Sequence, residues 1–292
     1  MIQKKREAER AARQELIVVS YGCSFPEARQ EEIEPVEEAL KRRYPERSFR
    51  RAYTSSFIIK KLEETEGLHF DRPEAALQAA VEAGATDVLV QPTHVIAGFQ
   101  YQMVVRAVEK FQEKFERITL GQPLLGRPTE DGQPLSPELL QAAQIIAETS
   151  QRRAGYSSPQ AAAEAGLAIA LMGHGTEHKA HRSYAQLQQA LCELGHQNLF
   201  VGTVAEDQEA LLALLRRIQS QGYRRLELQP LMLVAGDHAH NDMAGLEEDS
   251  WLSIARASEL FTEVVGRPLG FGREREIQEE YIRRAEAAAV IH

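Results

Sequence analysis

Apolar residues along this 292-residue chain fall in short β-branched runs separated by amphipathic stretches of helical period. Leu16-Ile17-Val18-Val19-Ser20 is the first such run; it is closed by Gly22 and reads as a buried strand entering a turn. The next segment sets Ile33, Val36 and Leu40 on one helical face among charges, and Pro35 within it predicts a kink or a late start. Further strands are predicted at Ser48 to Tyr53, Asp87 to Gln91 and Arg117 to Leu120. Helical stretches at Ser56 to Glu64, Pro73 to Ala83 and Tyr101 to Phe115 separate them. Alternating strand and helix predicts a parallel sheet with right-handed crossovers.

The segment Gly126 to Leu135, broken by prolines and glycines, reads as a junction, and Ser136-Pro137-Glu138 then opens a helix with serine as N-cap. Ala154 to Gly166 reads as a surface loop or a frayed helix end. The pattern then restarts. Leu167 to Met172 is a strand running into Gly173-His174-Gly175, and the helix after it repeats the earlier face spacing with Tyr184, Leu187 and Leu191. Strands follow at Asn198 to Val204, Arg225 to Leu233 and Phe261 to Val265, and a charged helix at Ile277 to Val290 closes the chain. Two eight-residue phrases match at both ends: Gln91-Pro92-Thr93-His94-Val95-Ile96-Ala97-Gly98 and Gln229-Pro230-Leu231-Met232-Leu233-Val234-Ala235-Gly236. Together these matches predict a duplication. The expected organisation is a charged leader at 1–14, an α/β domain at 15–126, a junction at 127–135 and a second α/β domain at 136–272. A terminal helix at 273–292 would be placed to pack on the first domain.

Composition narrows the function. A net charge of −9 argues against general affinity for nucleic acid or an anionic membrane surface. Cys23 and Cys192 provide neither a disulfide framework nor a paired-thiol metal motif. No run reaches the length of a transmembrane span, and the leader lacks the apolar stretch of a signal peptide. A cytoplasmic protein is the expectation.

In open parallel sheets, ligands bind beyond the carboxyl ends of the strands. There the sequence places Tyr21, Gly22, Cys23 and His94 in the first half, and His174 and His238 in the second, with His240 close by. Imidazoles at such positions bind a divalent transition ion or exchange a proton near neutral pH. Each has a plainer reading: His94 as a core residue, and His174 as a by-product of tight packing at its two glycines. Asp237 is placed to orient the His238 ring. His178, His181 and His196 read as surface groups on or beside a helix.

Several motifs stand in family order. They are Val19-Ser20-Tyr21-Gly22, Tyr53-Thr54-Ser55-Ser56-Phe57-Ile58-Ile59-Lys60-Lys61-Leu62 and Gln91-Pro92-Thr93-His94, then Leu171-Met172-Gly173-His174-Gly175 and the stretch Pro230 to Met243. On these the chain resembles, over about residues 15 to 285, the anaerobic-type sirohydrochlorin cobaltochelatases of the class II chelatases. The resemblance implies two similar chelatase-like α/β domains, each a parallel sheet flanked by helices, with the tetrapyrrole in the cleft between them. It implies His174 and His238 as metal ligands, with His174 also as catalytic base. The family's third ligand, a glutamate, falls here on Gln100, a neutral amide. A further acidic position falls on Ala205, with Glu206 one residue on, and the usually apolar position before Asn241 is His240. Gln100, Glu206 and His240 are thus the candidates for a third donor.

The implied reaction inserts Co2+ into sirohydrochlorin, or its precorrin-2 form, on the anaerobic route to cobalamin. The metal is a substrate and no organic cofactor is needed. Fe2+ insertion for siroheme, Ni2+ insertion, and a non-catalytic tetrapyrrole or metal carrier remain open, as does a homo-oligomer. A two-lobed periplasmic-type binding protein is disfavoured by the leader. The eight carboxylates of the substrate call for cations; Arg50, Arg51, Lys60 and Lys61 are the candidates, each with a solvated-face alternative. Tyr21 and His94 lie where they would meet the ligand, and Trp251 is suited either to the macrocycle or to helix packing.

Overall fold

The computed structural model describes residues 14–290. Of the charged leader expected at 1–14, only Gln14 falls among them, and it opens the first strand; His292 lies outside them. The chain divides into two compact units, one running to Leu124 and resuming at Gln278, the other spanning Leu125–Ile277.

The sheet of the first unit holds β1 (Gln14–Ser20), β2 (Ser48–Tyr53), β3 (Asp87–Pro92) and β4 (Arg117–Leu120), all parallel, in the order β2-β1-β3-β4. Its helices are α1 (Glu34–Arg43), α2 (Ser56–Glu66), α3 (Pro73–Glu82) and α4 (Phe99–Phe111). The central strand β1 is apolar because both of its faces are covered: Leu16, Ile17, Val18 and Val19 are all fully buried, whereas edge strand β2 carries Arg50 and Arg51. Pro35 causes no break. A π-helical turn, Arg29–Ile33, precedes α1 and widens the helix just where the ring of Pro35 would crowd the preceding turn. Ile33, Val36 and Leu40 are buried, as their spacing predicts.

In the second unit the order is the same, β6-β5-β7-β8, with β5 (Leu167–Gly173), β6 (Leu199–Thr203), β7 (Arg225–Pro230) and β8 (Glu263–Gly266). Its helices are α5 (Pro137–Arg153), α6 (Pro159–Glu164), α7 (Arg182–Glu193), α8 (Gln208–Ser220) and α9 (Trp251–Ala257). The Ala-rich segment after α5 is therefore partly an ordered helix, capped by the Ser158 hydroxyl. β7 ends at Pro230 rather than Leu233, because the chain there leaves the sheet for a loop. α8, an amphipathic helix with Leu211, Leu215 and Ile218 buried, was not anticipated from the sequence.

The register shows the duplication directly. Val19 pairs with Pro92 in the first sheet and Met172 with Pro230 in the second. Counting two residues on from Val19 and Met172 makes Tyr21 the counterpart of His174. Counting eight on from the two prolines makes Gln100 the counterpart of His238. In each unit the connections from the two central strands leave toward opposite sides, so the chain parts at β1/β3 and at β5/β7. This is the switch point where open α/β sheets form a crevice.

The closing helix α10 (Arg275–Glu286) enters the first unit at Gln278. Its buried Tyr281 hydroxyl donates to the Thr93 carbonyl at 2.8 Å, and Arg284, paired with Glu280 at 2.8 Å, donates to the Leu124 carbonyl at 2.8 Å. Ala289 then pairs with Leu120 and covers the β4 edge. Among the described residues no helix is long and apolar enough to cross a membrane. Tyr281→Phe leaves a buried carbonyl short of a donor and should cost about 1 to 3 kcal/mol in urea unfolding. An unchanged midpoint would show that this contact does not hold the helix.

Candidate functional site

Two histidines meet at the β5/β7 switch point. Gly173 ends β5, and a Cβ there would lie 2.3 Å from the Tyr184 ring, so only glycine lets that ring cover the strand end. Gly175 adopts φ +79°, and a Cβ on it would meet Ala205 at 2.5 Å; its amide donates to the Tyr184 hydroxyl at 3.2 Å. Burial pushes the Tyr184 phenol up to about 12, which keeps it protonated. The glycine pair therefore does serve packing, and the same packing leaves the His174 side chain exposed at the strand end.

The second ring arrives from β7. Leu231 donates to the Met172 carbonyl at 2.8 Å, extending the strand pairing. Met232 and Leu233 accept from Phe271 and Gly272, each at 2.8 Å, so main-chain bonds pin the loop on its far side. A π-helical turn, His238–Met243, follows, anchored by fully buried Ala239 and Met243. Wide turns of this kind recur at functional sites. The outcome is a His174–His238 pair with ring centroids 4.6 Å apart and planes at 87°. His174 Nδ1 lies 3.1 Å from the Gly175 carbonyl, which can only accept, so Nδ1 carries the proton and Nε2 the lone pair.

The neighbouring carboxylates are arranged otherwise than the sequence suggests. Asp237 does not orient His238; it accepts from the Asn241 amide at 2.9 Å. Asp242 contacts His238 Nδ1 instead. Sequence reasoning passed over Asp242, although the i,i+4 spacing within a helical turn is a readable signal. His240 is two positions from His238 in that turn, a spacing at which side chains do not face each other. The Glu206 carboxylate accepts from the Thr203 amide at 3.0 Å, closing the turn after β6. Among the described residues, no three His, Cys, Asp or Glu side chains converge as a ready metal cage.

The first unit presents a different chemistry at its own switch point. Tyr21 follows β1 and is 41% exposed; the exposed Phe57 and Phe99 stand at the starts of α2 and α4. Gln100 lies in the first turn of α4, with its Oε1 shielded from water and unpartnered. His94 is half-buried: Nε2 lies 3.3 Å from the Thr54 hydroxyl, and Nδ1 is shielded without a partner. Desolvation lowers its pKa to about 4, so the ring is neutral at working pH.

Four further expected residues have neighbours of their own. Arg51 is held by Glu37, Nε to the two carboxylate oxygens at 2.7 and 2.9 Å, and Arg50 grips buried Glu15 at 2.7 and 3.1 Å. Both guanidinium charges are thus already matched within the sheet–helix layers. Lys60 is exposed, with Glu64 3.6 Å away on the same helix. Trp251 is 5% exposed and lies over Gly202 in the core, the helix-packing alternative rather than the macrocycle one.

Comparison with known proteins agrees with this fold. The repeated four-strand sheets have the fold of a chelatase-type protein. A multi-domain protein of Deinococcus radiodurans, described as structurally similar to chelatases with two additional novel domains, superposes with a TM-score of 0.55 at 15% identity. The match covers 94% of this chain and 54% of that one, so the chain spans about half of the larger protein and the likeness speaks for the fold alone. The chain belongs to the cobalt chelatase (CbiK) family, whose model matches residues 14–290. It is 35% identical to the sirohydrochlorin cobaltochelatase of Salmonella typhimurium over 81% of this chain and 82% of that protein. To sirohydrochlorin cobaltochelatase CbiKC of Nitratidesulfovibrio vulgaris it is 31% identical, over 77% and 73% respectively.

The desolvated His94 ring makes stability pH-dependent. Below its ordinary value of 6.5 the unfolded chain takes up a proton that the folded ring refuses until about pH 4. Its contribution is complete above the upper value and falls as pH drops through the window. Urea unfolding at about pH 7 and about pH 5 should show a smaller loss in His94→Gln than in wild type. Equal losses would exclude His94 as the source.

Proposed function

We propose that this chain inserts Co2+ into sirohydrochlorin, with metal and tetrapyrrole as its two substrates. The observation that carries the reading is the edge-to-face His174–His238 pair at the carboxyl ends of β5 and β7, in a chain of the cobalt chelatase family. Metallation strips water from the ion, removes two pyrrole protons and bends the macrocycle to expose nitrogen lone pairs. Two imidazoles leave coordination positions open for the ring nitrogens. Holding the ion with few protein donors suits transfer better than storage. His174 is the metal ligand and base, and His238 the second ligand. With Nδ1 protonated, His174 has one lone pair, on Nε2, so it accepts a pyrrole proton only after the ion has moved to the macrocycle.

Gln100 supplies the third donor in this reading, from the first turn of α4; Tyr21 and His94 border the pigment. No organic cofactor takes part. The protein works in the cytoplasm, and its two free cysteines suit a reducing compartment. Fe2+ and Ni2+ are the alternative metals. One observation favours a second reading, that of a non-catalytic carrier: the neutral amide of Gln100 stands where the family has a carboxylate.

Mixing protein, sirohydrochlorin and Co2+ and following the absorbance of metallation separates the two. The enzyme reading predicts acceleration over the spontaneous rate, and loss of about 100-fold or more in His174→Ala and His238→Ala. Pigment binding without acceleration would establish the carrier, and unchanged rates in both variants would remove the site assignment. Gln100→Glu should tighten Co2+ binding by about tenfold, equivalent to about 1.4 kcal/mol. No change would place that side chain away from the ion.

A further inference from the structure

We infer that Asp242 is a positioning residue for metal delivery: its carboxylate holds the Nδ1–H of His238 and so presents Nε2 to the ion. The inference rests on the proposed role of His238 as a metal ligand.

The tautomer follows from the partner. An ionised carboxylate only accepts hydrogen bonds, so the His238 nitrogen that contacts Asp242 Oδ2 carries the proton. A neutral imidazole has one such proton, and the lone pair then resides on Nε2. Orientation follows from the same contact. The torsion that turns an imidazole about its Cβ–Cγ bond is broad and roughly two-fold, so an untethered ring would also sample the flipped orientation. The carboxylate fixes one of the two.

The turn His238–Met243 is built to make this contact. Its two ends bracket the i,i+4 pair His238 and Asp242, while the residues one step on, Ala239 and Met243, are both fully buried and fix its rotation. The competing carboxylate, Asp237, is engaged by Asn241 on the same turn. At His174 the equivalent service comes from the Gly175 main-chain carbonyl, which no substitution removes. Asp242 is thus the side chain through which the tautomer of one ligand of the pair can be changed.

Exposure separates this role from a structural one. The side chains of His238 and Asp242 are 40% and 43% exposed. An ion pair that open to solvent contributes little to folding. A loss of metal affinity with the fold intact is therefore the signature expected.

The test is Co2+ titration of the full chain, followed through the visible absorption of the bound ion, with thermal melts alongside. Asp242→Asn should weaken Co2+ binding about 10- to 100-fold, the usual effect of losing such a partner. Its amide can turn to donate to Nδ1, and so impose the wrong tautomer, as a carboxamide does beside other catalytic histidines. Asp242→Ala should weaken binding as well, and Asp242→Glu should recover part of the affinity. Melting temperatures should match wild type in all three. If Asp242→Asn and Asp242→Ala bind like wild type while His238→Ala has lost binding, the inference fails and the site stands. If His238→Ala itself binds like wild type, the site reading fails and this inference with it. A fall in melting temperature parallel to the affinity loss would make Asp242 structural and overturn the positioning role.

Discussion

The strand order β6-β5-β7-β8 is the constraint on which the site depends. Because β5 and β7 are neighbours whose connections leave in opposite directions, their carboxyl ends open onto a crevice that no crossover fills. His174 comes directly after β5, and His238 eight residues after Pro230 at the end of β7. Two rings separated by more than sixty positions in sequence thus reach 4.6 Å with both backbones pinned. The small residues around them serve the same geometry: glycine at 173 and 175 lets Tyr184 and Ala205 close over the strand end without displacing the His174 ring.

Duplication supplied the framework twice and the chemistry once. The first unit has the same strand order and the same parting at β1/β3, and its loop after β3 is pinned in the same way, by Thr93 to Val19 and Leu124 to His94, each at 2.9 Å. Yet its equivalents of His174 and His238 are Tyr21 and Gln100, a phenol and an amide. Neither is a strong ligand for a divalent transition ion. The first unit instead places aromatic rings around its switch point, with Tyr21, Phe57 and Phe99 all exposed. Specialisation of one copy for a cation, and of the other for an apolar surface, is what two such sets of side chains are suited to.

Much of the fold was legible because it is written in patterns of period 2 and 3.6. All eight strands among the described residues were predicted, with errors only at their ends, and the matched helix faces Ile33, Val36, Leu40 and Tyr184, Leu187, Leu191 are buried as the spacing requires. Pro35 was read as a kink or a late start; α1 opens at Glu34 with Pro35 in its first turn, and the π turn that leads into it is a backbone adjustment with no side-chain signature. The meeting of His174 with His238 was legible, since one directly follows β5 and the other lies on the loop after β7, but their hydrogen-bond partners were not. Whether Asp237 or Asp242 reaches His238 depends on the winding of one turn, and sequence distance favoured the wrong one. Arg50 and Arg51 look like cations awaiting an anionic ligand until the fold sets them beside Glu15 on β1 and Glu37 on α1. Long-range pairing of that kind is fixed by tertiary packing, not by local spacing.

The central claim is that His174 and His238 ligate one ion together. X-ray absorption at the cobalt edge of the Co2+-loaded, pigment-free protein tests it most directly. Scattering from two imidazole rings in the first coordination sphere, falling to one ring when either histidine is replaced, is the expected result. A sphere of oxygen donors alone, or a two-ring signal that survives removal of either residue, would contradict it.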